Sequence, residues 1–308
     1  MVLSITRGRQ AAPSKTVLYG TEGIGKTTLA AQFPGALILD TEDGSRRLDV
    51  ARVSCGDFAA VEAAMHDLCR DPQGFQTVVI DSVDWAERSL IDSIVRGAGK
   101  KSIEDFGFGK GYVFVQERTA KFLALADQLV ARGMHVVMVA HAAVKRTSPP
   151  DQTDGFDRYE LKLSKQTAPL FKEWADLLLF CNYRTKLIEG ADGRKKGLGG
   201  RERIMFAERS AAFDAKNRYG LPAELPMGID ALAPVFAASS SAPPAEPKPL
   251  TIDQTIDAIG RATEPQLARL SPRVEQRAQD GELTADEYAT LRDCIERRLS
   301  ELAGMVTA

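Results

Sequence analysis

The sequence has 308 residues, of which 44% are hydrophobic and 27% are charged. Both fractions are ordinary for a globular protein and exclude wholesale disorder, a collagen-like repeat and a coiled-coil rod. The 40 Lys and Arg residues nearly balance the 42 Asp and Glu residues, so the net charge is −2. Binding to nucleic acid or to a membrane would therefore need a local patch, and no apolar run is long enough to predict a membrane span.

The first residues and the cysteines predict the compartment. MVLSITRGRQ lacks a long apolar segment, so we expect no secretory signal. Cys55, Cys69, Cys181 and Cys294 show neither CxxC pairing nor a histidine at ligand spacing. This usage is typical of reduced cysteines in a cytoplasmic protein.

Strand and helix patterns alternate along the first two thirds of the chain. The predicted strands are TVLYG (16–20), ALILD (36–40), TVVID (77–81) and HVVMVAH (135–141). The predicted helices cover residues 25–33, 58–70, 82–96 and 112–133. Continuous apolar strands between helices indicate an α/β fold whose mostly parallel sheet is covered on both faces. Residues 175–184 and 203–210 predict a hairpin that adds antiparallel strands to the sheet edge.

A change in composition divides the chain. Residues 237–249 read AASSSAPPAEPKP, which is typical of an extended linker. We therefore predict a large domain over 1–236 and a small all-α module over 250–308. Three short helices are expected in this module, over residues 251–262, 264–280 and 284–303. It is either a module that binds a protein partner or regulates, or a solvated appendage.

Residues 20–27 carry the clearest motif. Their sequence, GTEGIGKT, fits G-x-x-x-x-G-K-[ST] completely, between a predicted strand and a predicted helix. Glycines let the backbone N–H groups of such a loop point at phosphate oxygens. Lys26 should reach the β- and γ-phosphates, and the Thr27 hydroxyl should ligate Mg²⁺. ATP and Mg²⁺ are the expected cofactors, and the candidate nucleotide-binding residues are Gly20, Thr21, Glu22, Gly23, Ile24, Gly25, Lys26, Thr27, Thr28 and Asp81.

Asp81 closes the TVVID strand. An acid at the carboxyl end of a buried parallel strand, facing a phosphate loop, is the pattern of a Walker B carboxylate. Thr27 would ligate Mg²⁺ directly, and Asp81 would bind the same ion through a water molecule. The alternative is that Asp81 caps the helix that follows.

Acidic residues follow the ALILD strand directly, in LDTEDG. An acid just beyond a strand adjacent to the P-loop strand can act as a general base toward the attacking water. The arrangement resembles the RecA family, in which a strand ends in a short D-x-E segment and the Glu activates water. The resemblance gives this role to Glu42, while Asp40 and Asp43 remain competing candidates.

Two further segments match the RecA-like pattern. His141 ends a strand where RecA-like ATPases carry a polar residue that senses the γ-phosphate, although a strand-capping histidine would look the same. Lys216 and Arg218 match a basic-x-basic segment that reaches into the neighbouring subunit's ATP in RecA-like recombinases. The alternative for this pair is a basic surface turn.

The ordered set of segments resembles one family, the phage RecA-like single-strand annealing ATPases. The set comprises the phosphate loop, LDTEDG, VVIDS, FGKGY (108–112), the His-ended strand and AKNRYGLP, and covers about residues 14–225. The resemblance implies Mg-dependent ATP hydrolysis, single-stranded DNA binding and promotion of annealing, often with a single-strand-binding protein. It also implies a homo-oligomer, ring or filament, with shared ATP sites in the bacterial host cytoplasm.

Three basic segments are candidates for DNA contact. The first is KKSIEDFGFGKGY (100–112), and the second is the predicted long loop over 142–167. Their candidate residues are Lys101, Phe108, Lys110, Tyr112, Lys145, Arg146 and Lys165. Basic side chains would contact phosphates, and an aromatic ring could stack on a base. A third patch surrounds the predicted hairpin and contains Arg184, Lys186, Arg194, Lys195, Lys196, Arg201 and Arg203.

The sequence leaves two other functions open. One is a RecA-fold helicase or helicase loader, although no large N-terminal domain and no helical lid with a second arginine are found in the sequence. The other is a nucleotide-dependent regulatory switch without DNA activity. An ATPase assay with and without single-stranded DNA separates the switch from the annealing protein.

Overall fold

The computed structural model describes most of the chain. The described residues are 12–148, 155–189, 195–237, 255–256, 259–260, 262, 264–279 and 283–306, without the side chains of 185–189, 195–199, 264–266, 268–269, 273, 276, 279 and 303–306. The chain forms two compact units, Met1–Pro244 and Ala245–Ala308. The predicted linker over 237–249 lies almost wholly outside the described residues. Within the described residues, no helix is long and apolar enough to cross a membrane.

The first unit is an α/β domain. Its strands are β1 (Lys15–Gly20), β2 (Ala36–Asp40), β3 (Ala51–Ser54), β4 (Thr77–Asp81), β5 (His135–Thr147), β6 (Phe156–Leu161), β7 (Leu177–Glu189), β8 (Lys195–Phe206), β9 (Lys216–Asn217) and β10 (Glu224–Pro226). Its helices are α1 (Lys26–Ala30), α2 (Phe58–Arg70), α3 (Val83–Gly97), α4 (Lys110–Ala131), α5 (Ala168–Trp174) and α6 (Ala233–Ala237). Short 3₁₀ helices lie at Gly44–Arg47, Ile103–Phe106 and Ile229–Leu232.

The strands form one mostly parallel sheet in the order β10-β8-β7-β1-β5-β4-β2-β3. The predicted fold class is thereby confirmed, including the antiparallel β7–β8 hairpin on the sheet edge. One expectation was wrong: β2 is not adjacent to the P-loop strand β1, because β4 and β5 lie between them. All four strands nevertheless end at one edge, since Gly20 pairs with His141 and Asp40 pairs with Asp81.

Alternate residues of the central strands face two apolar clusters. Val17, Ile80 and Met138 belong to a cluster that α2, α3 and α4 cover. Leu18, Val79 and Val137 belong to a second cluster on the other face, covered by α1 and by the segment after β8. The strands are apolar throughout because both faces are buried.

The segment predicted as a long loop, 142–167, is mostly ordered. Ala142–Thr147 continues β5 beyond the sheet and pairs with β6 in an antiparallel hairpin, which we call the β5–β6 arm. Its two strands carry charges rather than an apolar alternation, so the sequence pattern did not indicate them. Arg158 pairs with Asp214 at 2.6 Å, so an ion pair connects β6 to the segment after β8.

The second unit is helical in its described part. Two helices, α7 (Glu264–Gln279) and α8 (Ala285–Val306), pack through Leu267, Val274, Leu291 and Ile295. Thr284 and Glu287 form the predicted capping box at the start of α8, because each side chain bonds the other residue's backbone N–H. The predicted helix over 251–262 falls largely on residues outside the described part, although 255–256 and 259–260 are helical.

His135 gives the first unit an expected acid sensitivity. Its Nδ1 accepts a hydrogen bond from the backbone N–H of Ser14 at 2.9 Å, and burial lowers the pKa of His135 to about 4. In the unfolded chain the pKa of His135 is near the ordinary 6.5, so between pH 6.5 and 4 the unfolded state binds a proton that the folded state does not bind. The stability that depends on neutral His135 is fully present above pH 6.5 and is lost as the pH falls toward 4.

We expect the unfolding free energy to fall by about 2 kcal/mol between pH 7.5 and 5 from this group alone. His135→Asn, whose Oδ1 can accept the same N–H, should lose correspondingly less over that range. The measurement is urea unfolding at both pH values, with the exposed His66→Asn as the matched control. An identical pH dependence in wild type and His135→Asn would contradict the assignment.

Candidate functional site

The P-loop connects the carboxyl end of β1 to α1. Gly20 has no room for a side chain, because a Cβ there would lie 2.0 Å from the carbonyl oxygen of Cys181. Gly23 and Gly25 have φ angles of 72° and 104°, which favour glycine. Ile24 is fully buried and anchors the loop in the core. Thr27 and Thr28 follow in α1, so the predicted nucleotide-binding residues from Gly20 to Thr28 form one continuous loop and helix start.

Lys26 is held over the loop that precedes it. Its Nζ donates hydrogen bonds to the carbonyl oxygens of Gly20 at 3.1 Å and Thr21 at 2.9 Å. The residue is 5% exposed, and burial lowers the pKa of its ammonium group. Lys26 thus places a poorly hydrated cation inside the loop, where phosphate oxygens are better partners than carbonyl oxygens. Glu22 is exposed at the loop tip, 3.6 Å from Nζ of Lys162.

Asp81 lies at the end of β4, two strands away from β1. Burial raises the pKa of Asp81 to about 6, a hydrogen bond with Thr27 opposes this rise, and the charges of Glu42 and Asp40 add to it. Mutually repelling carboxylates beside a hydroxyl are the hard oxygen donors that Mg²⁺ prefers. Thr27 and Asp81 therefore fit a Mg²⁺ ion, which when bound would neutralise phosphate charge. Asp81 does not cap α3, since the helix N-cap is Ser82.

The three candidate bases after β2 have different partners. Asp40 accepts hydrogen bonds from the backbone N–H groups of Glu42, Gly44 and Ser45 and from the Ser45 hydroxyl. Burial alone would raise the pKa of Asp40, but these bonds lower it. Asp43 is engaged by Arg46 at 2.7 Å on the surface. Asp40 therefore shapes the turn and Asp43 faces outward.

Glu42 is the acid that this turn aims at the site. The Ser82 hydroxyl donates a hydrogen bond to its Oε1, and the same oxygen lies 3.8 Å from Nδ1 of His141. Asp40 lies at the same strand end, but its oxygens are taken up by the turn, whereas the Glu42 carboxylate contacts Ser82 and lies near His141. Thr41 joins the two strand ends, because its hydroxyl bonds the carbonyls of Asp81 and Ser82.

Asp84, which was not predicted as a site residue, fixes the position of His141. One carboxylate oxygen accepts the backbone N–H of His141 at 3.0 Å, and the other pairs with Nδ1 at 2.9 Å. The side-chain bond to Asp84 raises the pKa of His141 against the effect of its burial. The Asp84 carboxylate can only accept, so Nδ1 carries a proton, and in the protonated ring that the raised pKa favours Nε2 can donate to a partner in the site. Asp84, in the first turn of α3, reads in the sequence as an ordinary helix-start acid.

Lys216 and Arg218 lie at the opposite edge of the sheet. Asn217 pairs with Leu177, which pairs with Thr16 near the start of β1. Lys216 donates to the last carbonyls of α5, at Lys172 and Glu173, and Arg218 pairs with Asp176 at 2.7 Å. Within the protomer both cations have structural partners far from the P-loop. A role in a neighbour's site stays a prediction.

The candidate DNA-binding residues lie in two places. Phe108 is fully exposed with φ 47° between Gly107 and Gly109, immediately before Lys110 at the start of α4. Tyr112 donates to Glu104 at 3.0 Å, and Lys101 is exposed beside it. Lys145 and Arg146 lie on the β5–β6 arm, where Lys145 donates to the Leu163 carbonyl at 3.2 Å, and Lys165 is exposed beyond it.

Fold and site together define a P-loop nucleoside triphosphatase. A phosphate loop stands at the carboxyl edge of a parallel sheet, and the ends of β2, β4 and β5 bring acids and a histidine to the same edge. A family model described as an AAA domain matches residues 12–219, about two thirds of the sequence, and the chain belongs to this family. No match was found among curated proteins.

Proposed function

We propose that this protein is an ATPase that binds single-stranded DNA and promotes pairing of complementary strands as an oligomer. Lys26, Thr27 and Asp81 hold Mg-ATP, and Glu42 activates the attacking water. The observation that carries the DNA part is the position of the β5–β6 arm. It continues the same strand that ends its parallel run at His141 beside the P-loop.

The arm supports a link between nucleotide and DNA. Asp84 holds the backbone N–H and the ring of His141, while the carbonyl of His141 accepts the N–H of Lys162 at the base of the arm. A hydrogen bond from a protonated Nε2 of His141 to the γ-phosphate would therefore act on the residue where β5 enters the arm and to which the end of β6 is bonded. Arg146 on this arm is exposed and is the natural phosphate contact.

The loop before α4 supports a second contact. A fully exposed Phe108 has no folding benefit, because burial of apolar surface is what stabilises the native state. Lys110 follows two residues later, and Lys100 lies over the ring of Phe106 at 5.0 Å. A protruding aromatic ring beside lysines fits a single strand, whose bases stack and whose phosphates attract cations.

The proposal of an oligomer depends on the basic pair Lys216 and Arg218. Lys216 and Arg218 lie away from their own P-loop, so any contribution to hydrolysis must be made to a neighbouring protomer's ATP. A basic residue supplied in this way to a neighbour's ATP can increase the rate of hydrolysis by about 10³- to 10⁵-fold. A single-strand-binding protein would act as a partner by presenting the DNA.

We expect Lys110→Ala and Phe108→Ala to weaken binding of a labelled oligonucleotide, measured by fluorescence anisotropy with an ATP analogue. Loss of base stacking should cost Phe108→Ala about tenfold in affinity. Lys110→Ala should reduce the slope of log affinity against log salt by about 0.7, because one phosphate contact is lost. Lys121→Ala, an exposed lysine on the same helix, is the matched control and should change neither quantity.

Two results would redirect the proposal. No DNA binding by the wild type, together with no stimulation of ATP hydrolysis by DNA, would favour the nucleotide-dependent switch. Unwinding of a forked duplex without annealing of complementary strands would favour the helicase.

A further inference from the structure

The sheet order gives the direction in which a bound nucleotide must lie. Glu42, Asp81 and His141, which would surround the γ-phosphate, all stand on the β5, β4 and β2 side of β1. The P-loop itself rises directly from β1. A triphosphate with its γ-phosphate among those residues therefore extends toward the other side of β1, where β7, β8 and β10 lie. The nucleoside end must rest over these edge strands.

Arg203 of β8 reaches the P-loop from that side. Its Nη1 lies 3.3 Å from the carbonyl oxygen of Ile24, and a Cβ on Gly25 would lie only 2.8 Å from the same nitrogen. The glycine thus leaves the space that the guanidinium uses. In the sequence Arg203 falls in a basic patch predicted to contact DNA, whereas in the structure it lies against the phosphate loop.

The guanidinium has no competing ion pair in the described part of the chain. The nearby carboxylates of Glu202 and Glu224 are both engaged by Arg184, at 3.1 and 2.9 Å. Arg203 is an exposed residue, so a ligand can reach it. An unpaired arginine plane beside a P-loop is available to a ligand.

Met227 lies next to Arg203 and adds an apolar surface. Its backbone N–H donates to the Arg203 carbonyl at 3.2 Å, and its Cε lies 3.9 Å from the Cβ position of Gly25. The side chain is partly buried against the second apolar cluster. The Met227 side chain and the Arg203 guanidinium therefore both lie close to Gly25, on the side of the loop where the nucleoside is expected.

We propose that Arg203 and Met227 form the nucleobase platform of this ATPase, with the base lying against the guanidinium plane and the Met227 side chain. The inference rests on the proposed position of the γ-phosphate and adds a residue pair that contacts the nucleoside. Stacking of a cation on an aromatic ring and packing of sulfur against it are both favourable. Arg203 is then a residue for nucleotide selection rather than for DNA.

The test compares a ligand that has a base with one that lacks it. Binding of Mg-ATP and of inorganic tripolyphosphate with Mg²⁺ is measured by calorimetry for the wild type and for each variant. Arg203→Ala should raise the Kd for ATP about tenfold and leave the Kd for tripolyphosphate within about twofold. Met227→Ala should raise the Kd for ATP about threefold. Arg201→Ala, two residues away on β8 and exposed, is the matched charge control and should spare both ligands.

Each alternative outcome has a distinct signature. Equal losses for both ligands in Arg203→Ala would mean that Arg203 acts on phosphate or on the loop, and would overturn the platform. Unchanged ATP binding in a folded Arg203→Ala would overturn it as well. If that variant fails to fold, Arg203→Lys decides, since it keeps the charge but lacks the plane and should still lose ATP affinity selectively. A wild type that binds neither ligand would instead refute nucleotide binding at the P-loop.

Discussion

Lys26→Ala should raise the Kd for ATP at least about a hundredfold. The side chain is buried inside the P-loop, and within the described part of the chain its hydrogen bonds go to the carbonyl oxygens of Gly20 and Thr21. Its replacement removes a cation from a place where screening by water is weak, and charge-assisted hydrogen bonds to phosphate are the strong ones there. A loss of about 3 kcal/mol in binding corresponds to that factor. Calorimetric titration with Mg-ATP measures it.

The control for this variant is another lysine close to the loop. Lys162 contacts Glu22 at the loop tip, at 3.6 Å, with both side chains largely exposed. Lys162→Ala removes the same charge from the surface, where its effect is screened, and should change the Kd by no more than about twofold. Thermal unfolding of both variants checks that they fold. Retained tight ATP binding in a folded Lys26→Ala would refute the assignment of the loop.

The parts of the site that sequence could predict are those whose chemistry is local. The P-loop needs glycines, a lysine and a hydroxyl at fixed spacing, so Gly20 to Thr27 could be named without a fold. Asp81 could be named because a buried apolar strand ends in an acid. In these cases the residue types and their neighbours in the chain determine the geometry.

The residues that sequence missed act across the fold. Asp84 meets His141 from a distant part of the chain, and Arg203 meets Ile24 from the edge of the sheet. Neither carries a local signature, since an acid in a first helical turn and an arginine in a basic strand are both common. The prediction that β2 lies next to β1 was wrong for a similar reason. The order of strands in a sheet depends on the crossover connections and not on the composition of any single strand.

The choice among Asp40, Glu42 and Asp43 shows what the structure adds. Sequence alone gave three acids within four residues and a family resemblance that favoured one. The turn gives these acids different partners, because Asp40 accepts hydrogen bonds from backbone N–H groups and Asp43 pairs with a surface arginine. Glu42 is left with the Ser82 hydroxyl and His141 at the strand ends. The distinction lies in hydrogen-bond partners, which no pattern of residue types contains.

Glu42→Gln should therefore keep ATP binding within a few-fold and reduce hydrolysis by about 10²- to 10⁴-fold. The amide has the shape of the carboxylate and its oxygen can still accept the Ser82 hydroxyl, so the turn stays in place. It cannot take a proton from water, which removes the general base alone. Single-turnover hydrolysis with protein in excess over ATP measures the chemical step, and a parallel titration measures binding.

Asp43→Asn is the matched control, since it makes the same chemical change one residue along the turn. Its carboxylate pairs with Arg46 at the surface, so hydrolysis should stay near the wild-type rate. Asp40→Asn should instead lower stability, because it weakens the bonds that hold the turn. Full hydrolysis in Glu42→Gln, with loss in a folded Asp43→Asn, would move the general base to Asp43. Hydrolysis that survives every one of these changes would mean that no acid of this turn activates water, and that phosphate positioning by Lys26 and Asp81 carries the reaction.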